Sequence, residues 1–153
     1  MRLARELVAT IRQLNRAVAA LDQELEERTT EVAPALLELP GCAALTAAKL
    51  LAEIGPIDRF RSDAQLARHG GVAPLEASSG HTQRHRLDRG GNRELNAALY
   101  RIAITQARYH PDVRAYLERK RAEGKSRREA LRCLKRLLAR VVFKTLKANP
   151  ALT

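Results

Sequence analysis

The chain has 153 residues, enough for one domain or one domain with an appendage. Aromatic residues are scarce, with three Tyr, two Phe and no Trp, so a core must come from Leu, Ala, Ile and Val, which suits packed helices; no apolar run is long enough to cross a membrane or act as a signal peptide. The net charge of +11 is uneven: residues 1–60 hold seven Lys/Arg against nine Asp/Glu, residues 61–153 hold twenty-one against eight, and that arginine-rich second part points to nucleic acid, merely solvated arginine faces being the bland alternative.

In chain order, residues 2–29 read as one long helix. Leu7, Ile11, Leu14, Val18, Leu21 and Leu25 recur at spacings of 4, 3, 4, 3 and 4, a heptad seam flanked by Arg12, Arg16, Glu24, Glu26 and Glu27. So narrow a stripe calls for another helix, from a second copy or from the same chain. We therefore divide the chain into a coiled-coil helix, 1–30, and a helical domain, 31–153, and expect a homo-oligomer through the first. A short helix over 31–38 is cut by Leu39-Pro40-Gly41. A helix from about Ala44 to Ile54 stops at Gly55-Pro56. Ser62 and Gln65 pattern as a capping box opening a brief helix to about His69. Asn92 caps a helix to about Tyr109, Pro111 takes the first position of the next, which ends at Gly124, and Ser126 with Glu129 caps the last, to about Ala148. Short extended pieces are conceivable only within 71–88. The expected fold is all-α: a long N-terminal coiled-coil-like helix, then a compact helical domain containing a helix–hairpin–helix-like segment and a long polar loop.

Cys42 and Cys133 lie far apart and form no CxxC, so they read as small buried thiols of a reduced, cytoplasmic compartment. His81 and His85 stand four apart, but no cysteine or carboxylate pair accompanies them, and no metal site is expected. Either could instead accept a proton from a serine.

Residues 39–55, LPGCAALTAAKLLAEIG, resemble a helix–hairpin–helix motif. Gly41 permits a tight turn that bares backbone N–H groups at a helix N-terminus, an end that attracts phosphate, and Thr46 and Lys49 follow on the same helix. The plain alternative is a helical hairpin used for packing. The last helix carries Leu131, Leu134, Leu137, Leu138, Val141, Val142 and Leu146 as a core stripe. Arg128, Arg132, Lys135 and Arg136 belong to its basic remainder, which can track a phosphate backbone or simply be solvated.

Between Gly70 and Gly91 the helical patterning breaks into a polar loop longer than compact domains usually keep without a function. It pairs Ser78 and Ser79 with Arg84, Arg86 and Arg89, and Arg93 follows. Serine is a poor nucleophile unless its proton is removed or the attacked phosphate is stabilised, and guanidiniums supply the second effect. Composition alone leaves phosphate binding and catalysis both open.

The ordered series LPG, then GPIDRF over 55–60, LARHGGVAP over 66–74, Ser79-Gly80 and RGGNREL over 89–95 resembles the C-terminal transposase domain of the insertion sequence 110, 116 and 902 family, over about residues 36–148. The preceding helix resembles that family's interdomain linker. The resemblance implies DNA recombination in which a guide RNA pairs with donor and target DNA, an N-terminal RuvC-like domain holds a divalent metal, and a serine of the C-terminal domain becomes covalently linked to a DNA end. It assigns that role to Ser79, with Ser78 the adjacent alternative. No cofactor is expected in this chain itself, because the acidic domain would precede residue 1; Asp58, Asp63, Glu76 and Asp88 do not match its acidic set. The chain thus reads as a truncated or excised transposase part. A non-catalytic nucleic-acid-binding module, and a coiled-coil interaction protein with an incidental basic surface, are the competing readings.

Overall fold

In the computed structural model, residues 2–76, 85, 86, 88 and 90–149 are described. Among these, seven α-helices dominate, with one pair of very short strands: α1 (Arg2–Val32), α2 (Pro34–Leu37), α3 (Ala44–Ile54), a 3-10 turn (Ile57–Arg59), α4 (Asp63–His69), β1 (Leu75–Glu76), β2 (His85–Arg86), α5 (Arg93–Tyr109), α6 (Pro111–Ala122) and α7 (Arg127–Lys147). The mostly helical expectation is met.

The helix starts follow their capping chemistry. The Asn92 side chain accepts from the backbone N–H groups of Glu94 and Leu95, both at 2.9 Å. Ser126 and Glu129 form the full reciprocal box at the start of α7. At α4 the box is displaced: Ser62 accepts from the Gln65 N–H, but Gln65 reaches back to the N–H of Arg61, at 2.7 Å. The first boundary also differs from the sequence expectation. α1 continues to Val32, and α2 shrinks to four residues because Pro34, which has no N–H, can only open a new turn.

The core joins α3, α4, α5 and α7. Leu50, Ile54, Leu66, Leu95, Leu99, Ile102, Leu134, Val142 and Leu146 are all buried, and Leu36 and Ile57 close it from α2 and the 3-10 turn. Each such side chain contributes about 1.5–3 kcal/mol on burial. α1 enters this core only at its end, where Thr29 is buried and Asn149 donates to the Val32 carbonyl. From Arg2 to Glu24 every residue of α1 is exposed. No helix among the described residues is long and apolar enough to cross a membrane.

Candidate nucleic-acid interface

The polar loop leaves and re-enters the domain through a clamp made of glycine backbone and amide side chains. α4 ends at Gly70, and Gly71 takes a φ of +62°, a conformation that glycine adopts without strain. Gly91 lies directly against it: a Cβ on Gly91 would stand 2.2 Å from the Gly71 nitrogen. The Asn92 N–H donates to the His69 carbonyl at 2.7 Å, and the Asn96 amide donates to the carbonyls of Gly70 and Gly71 at 2.8 and 3.3 Å. Asn92 also donates from its amide to Glu53 of α3 at 2.7 Å. Asp88, with its side chain almost wholly buried, forms an ion pair with Arg68 at 3.1 Å and accepts from the Gly90 N–H at 2.9 Å. Beyond the clamp the chain continues as an antiparallel pair, Leu75 facing Arg86 and Glu76 facing His85. The short extended pieces anticipated within 71–88 are these strands.

Ser78, Ser79, Arg84 and Arg89 lie outside the described residues, as does His81. Arg86 in β2 and Arg93 at the start of α5 are exposed.

The same clamp reaches the last helix. Lys135 of α7 donates to the Asn96 carbonyl oxygen at 2.7 Å. The sequence placed Lys135 on a basic face with Arg128, Arg132 and Arg136, yet it is 8% exposed, beneath the Tyr100 ring. Burial, then the neighbouring Arg132 charge, lowers its pKa. Arg128 is exposed; Arg132 is half-buried and 3.6 Å from Glu129. Arg136 donates to the Asp63 carbonyl of α4 at 3.3 Å, and Arg140 lies 3.5 Å from the Asp63 carboxylate. Two sets that the sequence offered separately, the loop and the α7 face, are thus joined through Asn96 and Lys135.

The Pro-Gly hairpin forms a second, shallower feature. Gly41 has φ +82°, and a Cβ there would come within 2.9 Å of Thr105. Gln106 donates to the Pro40 carbonyl at 2.7 Å, fixing the hairpin on α5. Ala43, at the N-cap of α3, provides no side-chain cap. Thr46 is 8% exposed and lines a groove with Gly41, Ala43, Glu38 and Arg101. Lys49 is instead tied to Glu94 of α5, whose carboxyl that hydrogen bond and charge hold below its ordinary range. Arg101 is the cation at this groove, and sequence reasoning missed it. It stands two residues from each of the buried Leu99 and Ala103, which marks an exposed position on α5, but only the fold puts it beside Gly41. Cys42 is buried here, which pushes its thiol up to about 11 and leaves it inert.

Among the described residues no group of three His, Cys, Asp or Glu is placed to hold a metal ion. His69 faces Arg59 and the Phe60 ring.

A family model described as Transposase IS116/IS110/IS902 family matches residues 33–118. The chain belongs to this transposase family. The match takes in the hairpin, both glycine pairs, Asn92, Asn96 and all of α5, while α1 and α7 lie outside it. The chain is similar to the insertion element IS110 uncharacterized 43.6 kDa protein of Streptomyces coelicolor, 36% identical over 95% of this chain and 36% of that protein. It is 32% identical to the insertion element IS900 uncharacterized 42 kDa protein of Mycobacterium paratuberculosis, over 95% of this chain and 37% of the relative. The insertion element IS116 uncharacterized 44.8 kDa protein of Streptomyces clavuligerus is 29% identical over the same 95%, and 36% of its own length. The chain therefore spans little more than a third of the curated relatives it matches. Those alignments extend beyond the family match at one or both ends.

Proposed function

We propose that this chain is the DNA-binding, serine-bearing C-terminal part of an insertion-sequence transposase, acting in DNA transposition and recombination. The observation that carries the reading is the clamp: a segment containing two serines and several arginines is anchored at both ends, and Asn96 and Lys135 join that anchor to the basic last helix. A rigid base under a polar loop is how folds present reactive groups to a polymeric substrate.

In this reading the Ser79 Oγ attacks a phosphodiester phosphorus. An Oγ–P bond forms, the bond from phosphorus to one deoxyribose oxygen breaks, the hydroxyl proton passes to a nearby base, and the leaving oxygen takes up a proton. Arg84, Arg86, Arg89 and Arg93 neutralise the non-bridging oxygens as charge builds. Gly41 and Thr46, with Lys49 or Arg101, and Arg128, Arg132 and Arg136 hold DNA backbone, with a guide RNA as a further ligand. The divalent metal belongs to an RuvC-like domain outside this chain. Self-association runs through α1.

The test is a covalent protein–DNA adduct formed by the complete transposase. The adduct is expected to vanish in Ser79→Ala and persist in Ser78→Ala; persistence in both would refute a serine nucleophile at this pair. Binding of the present chain to DNA is expected to weaken linearly with log salt as counterions are released, and a salt-independent affinity would refute phosphate contact.

A further inference from the structure

Two asparagines one turn apart at the start of α5 hold the two ends of the polar loop. Asn96 offers its amide nitrogen to the Gly70 and Gly71 carbonyls at 2.8 and 3.3 Å, and its amide oxygen receives the Lys135 ammonium at 2.7 Å. Asn92 offers its amide nitrogen to the Glu53 carboxylate at 2.7 Å, and its oxygen receives the N–H groups of Glu94 and Leu95, both at 2.9 Å. An ammonium can only donate, and an ionised carboxylate can only accept. Lys135 therefore turns the Asn96 nitrogen onto the loop's entry. Glu53 likewise turns the Asn92 oxygen onto the first turn of α5, just past the loop's exit.

These two charges are placed to orient amides and not to grip DNA. Lys135 is 8% exposed, and among the described residues its partners are Asn96 and the Tyr100 ring, with no carboxylate paired to it. The remaining residues of the chain, 1, 77–84, 87, 89 and 150–153, include no Asp or Glu, so no other side chain supplies a counter-charge. A buried ammonium without a counter-charge is costly, and a methionine would fill similar space without that cost. What the ammonium adds is a donor aimed at one oxygen. Glu53 is half-buried on α3, the helix of the Pro-Gly hairpin, where its negative charge works against phosphate.

We infer that Glu53 and Lys135 are positioning residues: from α3 and α7 they orient the Asn92 and Asn96 amides, and through them set how both ends of the serine loop are held for reaction. This rests on the serine reading above and adds to it two side chains of opposite charge that act on the rate of the step without touching DNA.

The first test is made on the whole 153-residue chain. The Asn92 N–H donates to the His69 carbonyl across the loop's two ends at 2.7 Å, so its hydrogen exchange reports whether they are closed. Asn96→Asp gives Lys135 a counter-charge and puts an acid in the first turn of α5, so the fold is expected to hold. Its carboxylate has no donor for Gly70 and Gly71, and exchange at the Asn92 N–H should rise about tenfold. Glu53→Met should raise it similarly, while Glu53→Gln, which keeps an acceptor oxygen, should not. Parent-like exchange in Asn96→Asp or in Glu53→Met would overturn the role of that pair.

The second test is the rate of adduct formation by the complete transposase at saturating DNA. It is expected to fall about tenfold or more in Asn96→Asp and Glu53→Met and to recover in Glu53→Gln, with DNA affinity within about threefold of the parent throughout. A fall no larger than the unfolded fraction seen by circular dichroism would show a merely structural role, and an equal loss of affinity would show a binding role; either overturns positioning. Ser79→Ala separates this inference from the reading beneath it. An adduct that survives Ser79→Ala sinks the serine assignment and the rate effect with it. An adduct that disappears there, beside a parent-like rate in Asn96→Asp, sinks positioning alone.

Discussion

The free arm of α1 and the clamp beneath the serine loop solve opposite problems with opposite means. α1 repeats one instruction along its length: an apolar residue every three or four positions, exposed, with no contact that any single residue must make. The clamp says everything once. Gly71 and Gly91 meet backbone to backbone, Asn96 spans Gly70 and Gly71, and Lys135 completes Asn96. Repetition spreads free energy over many weak layers; the clamp concentrates it in a few atoms. A single substitution should therefore be mild in the arm and severe in the clamp.

The sharpest contrast is a single methyl group. Gly91→Ala places a Cβ against the Gly71 nitrogen and Cα, backbone atoms with no rotamer to yield, so we expect a loss of about 3 kcal/mol in a urea unfolding curve and a weakened grip on DNA. Ala20→Gly in the arm, also a one-methyl change, should cost no more than about 1 kcal/mol. Equal midpoints for the two variants would show that the Gly71–Gly91 contact yields as easily as an exposed helix position.

Asn96→Leu comes next. It leaves the Gly70 carbonyl without its donor and Lys135 buried without its acceptor, and should cost about 2–3 kcal/mol by the same measurement. A change under about 0.5 kcal/mol would mean that the amide is replaceable by water.

Lys135 provides a signature in pH rather than in size. Its folded pKa is depressed below the ordinary 10.5, so between the two values the unfolded chain binds the extra proton. Stability must then rise with pH through that window, and the cost of the buried charge is fully felt below the folded pKa. Lys135→Met should abolish this increment in a thermal-melt series run from neutral pH toward 10.5, while other groups titrate alike in both proteins. An identical pH dependence in the two would show that the ammonium is solvated.

This difference between regions also decides what could be read without coordinates. Periodicity and caps are local, so the spans of α3, α5, α6 and α7, the caps Asn92 and Ser126, and the mostly helical class were legible. The apolar stripe of α1 was legible for the same reason. The clamp was not: Asn96 lies 26 residues from Gly70 and 39 from Lys135, and an asparagine inside a helix carries no mark of which carbonyl it will meet. Lys135 looked like one more base on a basic helix, because a lysine that packs beneath a ring and one that faces water fit the same spacing. The serine pair stood out by composition, and the role proposed for it rests on the order of the surrounding motifs.

The smallest effects fall at the hairpin, where they sort two cations. Lys49 is held by Glu94, so Lys49→Gln removes a partly exposed ion pair of small worth and takes little from DNA affinity. Arg101 is exposed, adds its charge to the field at Glu94 behind that of Lys49, and lines the groove where α3 begins uncapped. Glu38 in the same groove works against an anion, which limits the gain from any phosphate held there. Arg101→Gln should therefore weaken binding modestly and evenly across DNA sequences and flatten the salt slope by about one counterion. The comparison to run is the slope of log affinity against log salt for both variants and the parent chain. A lowered slope in Lys49→Gln with an unchanged one in Arg101→Gln would return the phosphate contact to the lysine. It would also mean that the Glu94 pair opens when DNA binds, so that Lys49 exchanges its carboxylate for a phosphate.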